Sequence, residues 1–281
     1  METNMSASST SAEPAEASPG ASTSAPAATN TLSVHRDLPF GEHERARLDV
    51  YVPEHAVGAP VVVFVHGGGL LFGDKSLVGH VGLRLAREGM VTVAINHRFS
   101  PDVSHPTHVQ DAAAAVAWVV EHIDGFGGDP ERMVLSGHSS GGYIAALLAT
   151  DARWLAEAGV DPAQVIGLAP ISGFFYVDRL APGRPAHVWG TDPQAWIQAS
   201  PAHRASSATP PTLLLYADGD ADDRRLENRD FAQRLGELGV TDLTLTEVAA
   251  RDHRSIFFIM GSDGDDTTRA LIDFVRRLAA A

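Results

Sequence analysis

A chain of 281 residues, 44% of them hydrophobic, is long enough for one large domain with a substantial core. Its 21 basic and 35 acidic residues leave a formal net charge of −14, which disfavours phosphate backbones and anionic lipid and argues against nucleic-acid or membrane-surface partners. The absence of cysteine removes a disulfide scaffold, a thiolate nucleophile and thiolate-bound zinc, and leaves the compartment open.

Residues 1–30 are almost entirely Ser, Ala, Thr, Pro and Glu, with no Lys or Arg, the composition of a disordered low-complexity tail. Glu2, Glu13 and Glu16 stand without any cation, so the stretch matches neither a secretory signal nor a transit peptide. No run approaches the roughly 18 consecutive apolar residues of a membrane span. A cytoplasmic protein with one domain over residues 31–281 is expected.

In chain order, Arg47 to Val52 alternates as a half-buried strand, suited to an antiparallel edge. Val61 to Val65 and Val91 to Ile95 are near-continuous β-branched runs, the pattern of parallel strands buried on both faces. Gly79 to Glu88 can form the helix between them, stopped by Gly89. Val109, Ala113, Val116, Val120 and Ile123 fall at helical spacing, and Gly125 to Pro130 reads as a loop. Met133-Val-Leu135 leads into Gly137-His-Ser-Ser-Gly141 and a small-residue helix to Thr150. Val165 to Ile171 is a further strand, and Ser172 to Pro211 is irregular, with aromatics among prolines and glycines. Thr212 to Tyr216 is a buried strand, followed by a helix through Leu226, Phe231, Leu235 and Leu238. Leu243 to Val248 alternates, and the last helix carries Leu271, Phe274, Val275 and Leu278 with Asp265 and Asp266 at its start. This order predicts an α/β fold with a mostly parallel sheet between helical layers.

In such sheets ligands bind beyond the carboxyl ends of the strands. Three sets of polar residues fall there: His66 with Gly67, Gly68 and Gly69; Ser139 within Gly-x-Ser-x-Gly; and Asp220 with His253. A serine between glycines at a strand-to-helix turn is the form of a nucleophile elbow. A serine hydroxyl needs an imidazole to take its proton, and the imidazole needs a carboxylate to fix its tautomer. His253 lies between the last strand and the last helix, and Asp220 a few residues beyond the preceding strand, beside Asp218, Asp222 and Asp223. The amides of Gly68, Gly69 and Ser140 are the expected oxyanion donors.

His66-Gly-Gly-Gly69, Asn96-His-Arg-Phe-Ser-Pro-Asp102, Gly137-His-Ser-Ser-Gly-Gly142 and Asp252-His253 together resemble the hormone-sensitive-lipase-like and feruloyl-esterase-like carboxylesterases of the α/β-hydrolase superfamily. The resemblance runs from about Val50 to the C-terminus, and the order Ser139, Asp220, His253 is that superfamily's order. It implies an α/β-hydrolase fold with a minimal cap or none, and a serine hydrolase cleaving carboxylic esters through an acyl-enzyme. No cofactor or metal is implied. A small-molecule ester is the expected partner, and a homodimer is the candidate assembly. His97, Ser140 and the aspartate-rich loop around Asp220 depart from the family's usual residues. The same triad could serve arylformamidase-type amide chemistry, and a catalytically silent small-molecule receptor is the alternative of another class.

The pocket wall is expected to come from Leu70, Leu71 and Phe72, from His138, and from Phe174, Phe175, Tyr176 and Trp189, although apolar stripes often serve packing instead. His66 is expected to hold its loop by hydrogen bonding, and Arg98 and Asp111 to pair and brace the next one. Near-matches fail: Asp74 puts Lys75 out of register for a phosphate loop, Arg47 stands where a zinc-protease motif from His43 needs histidine, and the aspartates from 218 lack the Gly and Glu of a calcium loop.

Overall fold

In the computed structural model, which describes residues 32–179 and 186–281, strands and helices alternate along the chain. The expected tail over residues 1–30 lies outside the described residues. After β1 (Ser33–Pro39), β2 (Arg47–Val52) and β3 (Ala59–Val65) come α1 (Gly79–Arg87), β4 (Val91–Ile95) and α2 (Thr107–His122). Then follow β5 (Gly128–His138), α3 (Ser140–Thr150), α4 (Arg153–Glu157) and β6 (Val165–Ile171). Three short helices, α5 (Ala186–Trp189), α6 (Pro193–Gln198) and α7 (Pro201–Arg204), occupy the stretch without sequence periodicity. The chain closes with β7 (Thr212–Gly219), α8 (Asp222–Glu237), β8 (Leu243–Asp252), α9 (Ser255–Phe258) and α10 (Asp266–Ala279).

The strands form one sheet in the order β1-β2-β4-β3-β5-β6-β7-β8. The pairings of β1 with β2 and of β2 with β4 are antiparallel, and the remaining ones are parallel. The β-branched runs explain the centre. In β3, Val61, Val63 and Val65 face one core, against α2 and α3, while Val62 and Phe64 face the other, against α1 and α10. Both faces are covered, so the architecture is a three-layer α/β sandwich.

Two expectations are corrected. β2 is not an edge strand, because β1 pairs outside it; the β1 sequence Ser-Val-His-Arg-Asp-Leu-Pro, mostly exposed, carries too little apolar alternation to announce a strand. The loop expected over Gly125 to Pro130 is shorter, since β5 begins at Gly128. Among the described residues, no helix is long and apolar enough to cross a membrane.

Candidate active site

The parallel pairings bring the carboxyl ends of β3, β5, β6, β7 and β8 to one side of the sheet. Ser139 sits between β5 and α3 with φ 55° and ψ −118°, a conformation that non-glycine residues avoid. Its amide donates to the Ile171 carbonyl at 2.9 Å, which ties the turn to the end of β6. The turn is possible because its neighbours are small. A Cβ on Gly141 would stand 2.0 Å from the Val65 carbonyl oxygen, so α3 can start this close to β3 only with glycine there.

His253 follows β8 and joins two elements at once. Its Nε2 lies 2.9 Å from Ser139 Oγ, and its Nδ1 lies 2.6 Å from Asp220 Oδ1. With the proton on Nδ1 donated to Asp220, Nε2 is the acceptor for the serine hydroxyl. Asp220, beyond the end of β7, is 5% exposed, and its other oxygen accepts from the Ser172 hydroxyl at 2.6 Å and the Ala217 amide at 3.0 Å. Burial alone would raise its pKa; the hydrogen bonds from His253, Ser172 and Ala217 outweigh that and hold it below the usual carboxylate value. The neighbouring aspartates do other work. Asp218 accepts from the Ala250 and Arg251 amides, and Asp222 and Asp223 lie in the first turn of α8.

The glycine run after β3 folds back on itself. Leu71 and Phe72 amides both donate to the Gly68 carbonyl, and Gly68, at φ 137°, has the Phe72 carbonyl oxygen 1.8 Å from where a Cβ would stand. The amides of Gly68 and Gly69 have no acceptor among the described residues. The Ser140 amide belongs to the first turn of α3, where helix N–H groups lack intrahelical partners. Gly68 and Gly69 line the same cavity as Ser139, and Ser140 follows Ser139 in the chain.

The loop is braced from below by buried imidazoles. His66 Nδ1 donates to the Gly67 carbonyl at 2.8 Å and its ring stacks on His97 at 4.8 Å; His97 Nδ1 donates to the Arg98 carbonyl at 2.7 Å. Burial lowers the His66 pKa to about 4 and the His97 pKa to about 3, so both are neutral near pH 7. Arg98 and Asp111 pair through two guanidinium nitrogens. Arg45, which the sequence does not single out, donates to the carbonyls of His97 and Gly73 and lies 3.7 Å over the Phe99 ring.

In front of Ser139 and His253 opens a cavity of about 390 Å³. Gly67, Gly68, Gly69, Leu71, Phe72 and Leu77 line one part of it, and His138, Arg254, Phe257 and Phe258 another. His138 donates from Nε2 to the His253 carbonyl at 2.7 Å and stacks on Phe257 at 5.0 Å. Its pKa falls to about 3, through burial first and the neighbouring His253 second, which leaves it a neutral wall residue.

Of the eight expected wall residues, Leu71, Phe72 and His138 line this cavity and five do not. Leu70 is 1% exposed and packs into the core under the loop. Phe174 stacks on Tyr143 at 4.5 Å, Phe175 on Phe231 at 4.1 Å, and Trp189 Nε1 donates to the Tyr143 hydroxyl. Tyr176 lines a different cavity of about 470 Å³ along α8, which includes neither Ser139 nor His253. Phe174 and Trp189 pack against α3, and Phe175 and Tyr176 against α8, where apolar volume is needed to cover the sheet. Phe257 and Phe258, missed in the sequence, sit on a single turn of helix after His253 that has too few residues to show periodicity. Ser172 was also missed; its position directly after the β6 run was the one available signal.

The family model described as BD-FAE matches residues 48–161. The chain is 36% identical over 143 residues to the probable isoprenylcysteine alpha-carbonyl methylesterase ICMEL1 of Oryza sativa subsp. japonica, covering 50% of this chain and 33% of that protein. It is 29% identical over 240 residues to esterase LipC of Mycobacterium tuberculosis, covering 78% of this chain and 60% of that protein. The chain thus spans less than two thirds of the length of these relatives. Among solved structures it is similar to a hyperthermophilic esterase from the archaeon Pyrobaculum calidifontis, with TM-score 0.70, 26% identity, and 89% and 87% of the two chains covered. A truncated carbohydrate esterase from gut microbiota superposes with TM-score 0.74 over 90% of this chain and 98% of that one, at 18% identity, a likeness of fold.

Proposed function

We propose that this chain, which belongs to the α/β-hydrolase superfamily, hydrolyses carboxylic esters through an acyl-enzyme formed on Ser139. The observation that carries the reading is the unbroken chain of hydrogen bonds from Ser139 through His253 to the enclosed Asp220, opening on a cavity. The esterase relatives support the same chemistry.

His253 Nε2 takes the Ser139 proton as Oγ attacks the ester carbonyl, and Asp220 stabilises the imidazolium through Nδ1. The carbonyl oxygen becomes an oxyanion, met by the amides of Gly68, Gly69 and Ser140; losing one such donor typically costs roughly 10²–10³ in rate. The alcohol departs with the proton from His253. Water, activated by the same imidazole, then releases the acid. In this reading the enzyme is cytoplasmic, works on a small ester without a cofactor, and acts alone or as a homodimer.

Ser139→Ala is expected to lower kcat on short p-nitrophenyl esters by about 10⁴-fold or more and to abolish labelling by a fluorophosphonate probe. Full activity in that variant, or labelling mapped elsewhere, would sink the assignment.

A further inference from the structure

The cavity wall in front of Ser139 holds one permanently charged side chain, Arg254; the side chains around it include Leu71, Phe72, Leu77, Phe257 and Phe258. Elsewhere in this acidic chain arginines meet carboxylates closely: Arg98, Arg153, Arg229 and Arg277 each have an Asp or Glu oxygen within 2.8 Å. Arg254 has no carboxylate oxygen within 4.0 Å among the described residues; Asp252, two positions earlier, feels its charge but spends one oxygen on the Arg254 and Ser255 amides. Its guanidinium carbon lies 5.6 Å from the centre of the Phe258 ring, a cation–π contact that holds it near the cavity mouth.

The backbone at this position is held by hydrogen bonds, while the Arg254 side chain is exposed. Asp252 Oδ1 accepts from the Arg254 and Ser255 amides at 2.9 and 2.7 Å, and the His253 carbonyl accepts from His138. The backbone carrying Arg254 is therefore clamped on both sides, at a fixed offset from the imidazole. Around it the mouth is apolar and open: Phe72 is 66% exposed and Phe258 49%. An apolar chamber with one cation at its rim matches a molecule with an apolar body and one anionic end.

Resting on the reading of Ser139 as the nucleophile, we propose that the ester accepted by this site carries a carboxylate, bound by Arg254 while the apolar wall takes the body of the molecule. A guanidinium presents a planar fork that matches two carboxylate oxygens. One such fork, without a second cation in the wall, suits a monocarboxylate better than a phosphate dianion. With a net charge of −14, the molecule as a whole repels anionic substrates, so selection for one must be local.

The test compares p-nitrophenyl half-esters of straight-chain dicarboxylic acids with neutral p-nitrophenyl alkanoates of equal length. At the length that spans from Ser139 to the mouth, Arg254→Gln lowers the half-ester to alkanoate ratio of kcat/KM at least tenfold. The change falls on KM, because the contact is made equally in ground and transition states. Arg254→Lys restores part of the ratio, and added salt compresses it in the wild type but not in Arg254→Gln. An unchanged ratio at every length overturns the proposal. So does a ratio that falls only in Arg224→Gln, the other cation near the triad, whose Nη1 is buried without a partner and whose guanidinium lies 5.2 Å from the Phe174 ring centre. The neutral esters report the esterase reading separately: if the wild type leaves them intact, that reading fails by itself. Calorimetric binding of the free dicarboxylates to wild type and Arg254→Gln then decides the carboxylate site, and equal affinities overturn it.

Discussion

Asp220 is one of four aspartates between residues 218 and 223, and its enclosure separates it from the rest. It reaches His253, Ser172 and the Ala217 amide together, whereas Asp218 serves the backbone of β8. Asp220→Asn should cost roughly 10⁴ in kcat, because an amide cannot hold the imidazole in the required tautomer. Asp218→Asn should stay within a few-fold of the wild type in the same p-nitrophenyl assay. The reverse order would move the acid to Asp218. Ser139 was legible in the sequence because it follows the Met133–Leu135 run within Gly-x-Ser-x-Gly, and His253 because it falls between the last strand and the last helix. Asp220 was legible only as a member of a cluster, since the side chain that enters the interior is chosen by the turn after β7 and by Ser172 arriving from β6.

The elbow depends on how closely two elements approach. α3 starts against the end of β3, and Gly141 is the contact point, with the Val65 carbonyl oxygen 2.0 Å from a would-be Cβ. Backbone, unlike a side chain, cannot move aside cheaply, so Gly141→Ala should destabilise the protein by roughly 3 kcal/mol. Urea unfolding monitored by far-ultraviolet circular dichroism measures this, and an unchanged midpoint would mean that α3 can shift. The glycine loop after β3 is held in a similar way by Arg45, His66 and His97, which reach it from three different segments. Glycine motifs announced this loop in the sequence, but the Arg45 brace arrives from the turn before β2 and carries no local pattern. The aromatics at 174–176 and 189 illustrate the opposite error. Their clustering among prolines and glycines fits a pocket wall and a packed layer equally well, and only the positions of α3, under Phe174 and Trp189, and of α8, under Phe175 and Tyr176, make them packing.

Across the whole molecule, four histidines, His66, His97, His108 and His138, are at most 7% exposed, with pKa values lowered to about 4, 3, 4 and 3, in each case chiefly by burial. In the unfolded chain each titrates near 6.5. Between that value and the folded ones the unfolded state binds more protons, so stability is unaffected well above pH 6.5 and falls as pH drops below it. Each histidine fully inside the window contributes a slope of about 1.4 kcal/mol per pH unit. Urea unfolding from pH 7.5 to 5 should therefore show a slope steeper than one histidine allows, and a flat profile would contradict their burial. The sequence by itself determined the central strands and the long helices between them, the mostly parallel sheet and the Gly-x-Ser-x-Gly turn, because each is written in local periodicity or in a few adjacent residues. Which of four aspartates reaches His253, the wall of the cavity with Phe257, Phe258 and Arg254, and the bracing of the glycine loop were decided by the tertiary structure. Those features depend on which strand ends lie side by side, and strand neighbours such as β3 and β5, separated in the chain by α1, β4 and α2, leave no mark on the local sequence.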